Sequence, residues 1–290
     1  MPKVAVVTDS TAYLPADLVS AYNIAVVPLV VIWGEETLRD NIDISPEAFY
    51  ERLSGAKVMP STSQATIQAF IETYEKLLIE GCEILTVVLS SALSGTLDSA
   101  IQAKAMFPDA KIELFDSKYT SLPLAYMALS AARAAKRGAS MEQCLEIVET
   151  IREKTEVFFA VDTLEFLHRG GRIGGASRFL GTALNLKPIL QLQEGKVEAI
   201  ERVRTLKRAH WRLIELLEEN IKGASPINMM GVVSAAAEDS AAHLLTRIKD
   251  EFDPQEIMLA NLSPVLGTHV GPGTVGVAYV AGVDLDLLNG

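Results

Sequence analysis

The chain has 290 residues and a formal net charge of −11. That length suits one large or two modest domains, and that charge argues against a nucleic-acid partner, whose backbone demands a basic face, and disfavours adsorption to anionic lipid. Apolar residues make up 49% of the chain but aromatics only 6%, so the interior is aliphatic and suits an aliphatic ligand.

The start, MPKVAVVTDS, lacks the basic and long apolar regions of a secretory leader. The run Ile24 to Trp33 is interrupted by Pro28 and, at about ten residues, is short of the roughly 20 that span a bilayer. Cys82 and Cys144 form no CxxC pair, so neither a disulfide framework nor a zinc site is expected. These features predict a cytoplasmic protein without stable membrane insertion.

In chain order, Val4–Thr8 reads as a short strand ending at Asp9-Ser10-Thr11, and Ile24–Trp33 as a second. Gln64–Glu80 places Ile67, Phe70, Ile71, Tyr74, Leu77 and Leu78 at helical spacing. Glu83–Leu89 reads as a buried strand, Gly95–Met106 as a helix, Lys111–Phe115 as a strand and Leu122–Arg137 as an alanine-rich helix. Ser140 and Gln143 form a capping box that opens a helix to about Lys154. Strands alternating with helices predict a mostly parallel sheet with helices on both faces.

The rhythm then changes. Val157–Val161 is strand-like and is followed by the glycine-rich stretch His168–Gly175. Ile189–Leu192 and Lys196–Val203 flank Gln193-Glu194-Gly195 as a hairpin. A helix over Leu206–Ile221, a strand over Ile227–Val233, a helix over Ser240–Phe252 and strands over Ile257–Leu262 and Thr274–Val280 complete the pattern. The fold class is therefore α/β with two domains. Residues 1–155 form an N-terminal parallel-sheet domain, and residues 156–290 an α+β domain with a mixed sheet.

Four segments carry possible chemistry. Pro60-Ser61-Thr62-Ser63-Gln64 lies just before a helix, where hydroxyls serve as caps or help to hold an anion. Ser90-Ser91-Ala92-Leu93-Ser94-Gly95-Thr96 follows a buried strand, in the crevice where α/β sheets bind ligands. Gly95 there lets backbone approach a ligand closely. The loop Leu167 to Gly175 surrounds Arg172 with glycines, making it a counter-charge for a carboxylate or phosphate, or the partner of a structural Asp. His269 sits among small residues in Gly267–Gly276. Gly271, Gly273 and Gly276 satisfy G-x-G-x-x-G, but a strand follows instead of a helix, so no dinucleotide site is read. No G-x-S-x-G elbow, phosphate loop or H-E-x-x-H occurs. His168, His210, His243 and His269 lack metal-ligand spacing. No catalytic residue and no metal are expected.

Taken in order, Val6 to Thr11, Ser61 to Gln64, Ser90-Ser91 with Ser94-Gly95-Thr96, Asp116-Ser117, Leu167 to Gly174 and Gly267 to Gly273 resemble the DegV family. The resemblance covers essentially the whole chain. It implies a two-domain α/β protein that buries a long-chain fatty acid and has no cofactor. Several members are the binding subunit of a bacterial fatty acid kinase, and a separate ATP-using subunit converts the carboxylate into an acyl phosphate. By this resemblance Thr62 and Ser94 bond the carboxylate, with the Gly95 N–H nearby, His269 in the same cluster and Arg172 beside it. Arg204, within the basic cluster Arg202, Arg204, Lys207 and Arg208, becomes a contact for the kinase subunit. Two alternatives stand beside this one: an acyl-ester hydrolase using Ser94 and His269, and a carrier of some other hydrophobic anion.

Overall fold

The computed structural model describes residues 3–181 and 186–284. The first half runs β1 (Val4–Asp9), α1 (Ala16–Tyr22), β2 (Ala25–Val27), β3 (Val30–Trp33), β4 (Glu36–Arg39), α2 (Pro46–Ser54) and β5 (Ser61–Ser63). It continues with α3 (Ile67–Ile79), β6 (Glu83–Val88), α4 (Thr96–Lys104), β7 (Ile112–Asp116), α5 (Ser121–Lys136) and α6 (Met141–Glu153). A wholly parallel sheet has the order β2-β1-β6-β7. Every position of β1 is buried, as befits a strand covered on both faces. The covers are α3 with α4 on one side and α5 with α6 on the other.

The second half runs β8 (Thr155–Ala160), α7 (Glu165–Arg169), β9 (Lys187–Gln193), β10 (Lys196–Val203) and α8 (Leu206–Ile221). It ends with β11 (Ile227–Ser234), α9 (Glu238–Phe252), β12 (Glu256–Asn261), α10 (Pro264–Val270) and β13 (Val275–Ala281). Its sheet is mixed, with the order β10-β9-β8-β13-β11-β12. Only β11 and β12 are parallel, joined through α9. Helices α8 and α9 cover one face around a core that includes Leu213, Leu217, Leu244 and Ile248.

The other face meets α5. This helix packs on β1 of the first sheet and on β11 and β13 of the second, so nearly all of its length is buried. A helix buried over most of its length has no clear amphipathic stripe, and its alanines let two sheets approach it. Gly231 of β11 makes the approach possible: a Cβ there would lie 2.6 Å from Leu122 Cδ1 and 2.7 Å from Tyr126 Oη.

Two expected elements differ. Ile24–Trp33 is not one strand, because Pro28 has no N–H for a ladder; β2 joins β1, while β3 enters an antiparallel sheet of order β4-β3-β5. The helix expected from Gln64 begins at Ile67, where the Thr66 side chain accepts from the Ala69 N–H. The hydroxyl residues before it form β5, with Thr62 opposite Val31. The Ser140–Gln143 capping box is present. So is the hairpin, turned by Glu194 and Gly195 with φ of 46° and 80°, the pair of positive values a two-residue type I′ turn needs.

Helix α10 is fastened to the first half of the chain. Buried Asp40 accepts from Ser10 Oγ at 2.7 Å and from the Val265 N–H at 3.3 Å. Tyr50 Oη donates to the Leu262 carbonyl at 3.1 Å. Burial, reinforced by nearby Asp9, pushes the Asp40 carboxyl up to about 7. An acid whose folded value is raised contributes stability fully below its ordinary value near 3.8 and loses it as pH rises through the folded value. Asp40→Asn is therefore expected to become less destabilising, relative to the parent, by on the order of a few kcal/mol between pH 4 and pH 8. Denaturant unfolding across that range checks this; a constant difference would refute it.

Candidate functional site

A cavity of about 250 Å³ lies where the two sheets face each other. Its walls come from both halves of the chain and include Leu29, Leu93, Phe159, Leu192, Val233 and Val265. Thr62, Ser94, Gly95, Arg172 and His269 also line it. Five residues drawn from four separate segments are thus brought together. Arg204 is exposed and does not line the cavity.

Each polar residue is placed by a different element. Thr62 is carried by β5, and His269 by the last turn of α10. The Thr62 Oγ1 to His269 Nε2 distance is 2.7 Å. His269 Nδ1 is buried without a partner, close against Gly170, where a Cβ would lie 2.1 Å away. A buried bare lone pair is easier to tolerate than an orphaned N–H, so we assign the proton to Nε2. Nε2–H then donates to Thr62 Oγ1, and the threonine proton is free for the cavity. Burial, and secondarily the charge of Arg172, pushes His269 down to about 4, so the ring is neutral at pH 7.

Ser94 is prepared in the same sense. Its Oγ accepts from the Thr96 N–H at 3.3 Å and lies 3.0 Å from Thr96 Oγ1. Thr96 Oγ1 itself accepts from the Ala65 N–H at 3.3 Å. When Thr96 donates its own proton to Ser94, the serine proton is also left for a ligand. Gly95 caps α4 without a side-chain hydrogen bond, and a Cβ there would meet Gln64 Oε1 at 2.2 Å. The preceding loop is braced by Ser90 Oγ, which donates to the Gly195 carbonyl of the hairpin turn at 2.8 Å.

Arg172 is exposed. Its Nε donates to the Leu93 carbonyl at 2.9 Å and Nη1 to the Gly170 carbonyl at 2.7 Å. It is held by neutral carbonyls, not by a structural Asp, so its charge is not cancelled by a carboxylate in contact. The arrangement offers two hydroxyl donors and a cation to one anionic group, with apolar walls behind. A hydrolytic pair needs the base on the nucleophile. His269 is instead bonded to Thr62, and its second nitrogen has no carboxylate partner.

Sequence reasoning passed over Thr96 and Gly170, which set the orientations of Ser94 and His269. Thr96 ends the hydroxyl-rich segment already noted, and Gly170 lies in the glycine-rich loop, so a signal was present for both. The apolar wall had none, since Leu and Val are everywhere in this chain.

The neutral ring contributes stability that is present above its ordinary value near 6.5 and lost as pH falls through about 4. Long-range ¹H–¹⁵N spectra at pH 6 are expected to show neutral His269 with the proton on Nε2; an imidazolium would refute the assignment. Gly170→Ala is expected to displace the ring and alter that signal.

A family model described as "Uncharacterised protein, DegV family" matches residues 3–282. A DegV domain-containing protein of Halalkalibacterium halodurans is 36% identical over 280 residues, spanning 96% of this chain and 99% of the relative. The structure of a DegV family protein from Thermus thermophilus, described as fatty acid binding, matches with TM-score 0.91 at 36% identity, covering 96% of this chain and 99% of that one. That of DegV from Bacillus subtilis, described as a fatty acid binding protein, matches with TM-score 0.88 at 33% identity, covering 97% and 100%.

Proposed function

This chain belongs to the DegV family, and we propose that it binds a long-chain fatty acid, with the carboxylate on Thr62 and Ser94 and the tail along the apolar cavity. The observation that carries this reading is the pair of hydroxyls, Thr62 and Ser94, each hydrogen-bonded to a neighbour and each lining a largely apolar cavity. The fatty acid bound by its structural relatives supports it. Tail burial at about 0.8 kcal/mol per methylene offers on the order of 10 kcal/mol gross for a 16-carbon chain, before the costs of association. Affinity thus comes from the tail and orientation from the polar end. Arg172 adds charge next to the carboxylate and remains exposed, which suits a group that must be reached by a second protein. Two domains, residues 1–155 and 156–290, fit the division of strands between the two main sheets, with α10 returning to the first. No helix among the described residues is long and apolar enough to cross a membrane, and the two buried free cysteines suit the cytoplasm.

Denaturing extraction followed by mass spectrometry is expected to release about one fatty acid per chain, and Thr62→Val to lower that occupancy. A folded protein that yields none and refuses added fatty acid would overturn the reading.

The next step in this reading is presentation of the carboxylate to an ATP-dependent kinase subunit, which forms the acyl phosphate. Arg204 is exposed and lies just ahead of α8, where it can meet a partner without entering the cavity. Arg204→Ala is expected to leave lipid affinity intact and to reduce acyl-phosphate formation with a cognate kinase at least tenfold, on the order of a lost charge-assisted contact. Unchanged turnover would exclude that contact.

A further inference from the structure

The cavity wall carries further polar residues beside the five assigned to the carboxylate. Thr120 and Ser121, at the start of α5, form part of its wall. Thr120 Oγ1 is buried with no hydrogen-bond partner. Ser121 is only 7% exposed. Its φ of 59° is a conformation that favours glycine.

A serine in a conformation that favours glycine serves the backbone poorly. Glycine would satisfy the backbone there, and a capping serine would bond the helix start, yet the cap position of α5 makes no side-chain hydrogen bond. The N–H groups of Ser121 and Leu122 have no acceptor within the helix, and Pro123 has no N–H to offer. These donors stand at the positive end of a sixteen-residue helix. Tyr126 Oη and Ser130 Oγ further along α5 are also unpartnered, but neither lines the cavity.

We infer that the start of α5 is a binding station for an oxygen substituent on the acyl chain, so that the cavity selects fatty acids bearing a hydroxyl group partway along the tail. The inference rests on the fatty-acid reading of the cavity. A chain hydroxyl accepts from the helix-start N–H groups or from Thr120, and donates to Ser121. In a plain aliphatic tunnel it would be stripped of water without return.

The test is competition binding on the full, delipidated chain, comparing stearic acid with a positional series of monohydroxystearic acids. At least one isomer is expected to bind as tightly as stearic acid or more so. Thr120→Val, close in shape, and Ser121→Gly, which suits the observed φ, are each expected to lower that isomer's affinity relative to stearic acid about tenfold. Thermal unfolding confirms that both variants are folded. If every isomer binds more weakly than stearic acid, or the variants leave the ratio unchanged, the inference is overturned and the fatty-acid reading stands. If stearic acid itself does not bind, both fall.

Discussion

The burial of α5 on all sides is the constraint on which the rest of the molecule depends. A helix packed against two sheets needs small side chains where they approach it, which fits its wealth of alanine and the Gly231 that β11 carries opposite Leu122 and Tyr126. The close packing fixes the separation of the sheets. The start of α5, with Thr120 and Ser121, forms part of the cavity wall, which α10 also lines.

The polar end of that cavity is organised by hydrogen bonds that each remove one alternative. Gly170 leaves room for the His269 ring, the ring occupies the acceptor side of Thr62, and Thr96 occupies that of Ser94. In that arrangement each of the two hydroxyls keeps its own proton for a ligand of the cavity. If, as proposed, a carboxylate binds there, it meets dipoles already oriented and little reorganisation is needed. The neutrality of His269 follows from the same design, since a charged ring would be poorly solvated beside Arg172.

Much of this was legible in the sequence, for reasons that differ by element. The bounds of α8 are those its apolar spacing predicts, the hairpin is announced by Glu194-Gly195, and the capping box by Ser140 and Gln143. These are local signals, and local chemistry decides them. Thr62 is different: its neighbours look like helix caps, but pairing with Val31 makes them an edge strand, and that partner lies far away in sequence. The convergence of Thr62, Ser94, Arg172 and His269 was expected from resemblance to a family, not from spacing. Asp40 was invisible, because nothing near it in the chain reveals that Ser10 and Val265 will close over it. The strained Ser121 was hidden inside an ordinary helix pattern, since a backbone angle leaves no mark on composition.

The position of β13 has a consequence for how the protein comes into being. This strand, residues 275–281, lies between β8 and β11 rather than at an edge. During synthesis the parallel sheet has all four of its strands once residue 116 has been made. The mixed sheet stays split into separate ladders until its last strand arrives. Such long-range closure is slow and leaves apolar strand edges open in the meantime. Helix α10 immediately precedes β13, so the cavity it lines is completed only late in synthesis. A nascent chain therefore passes through a stage with a formed first sheet and an unclosed cavity, when chaperones have the most apolar surface to recognise.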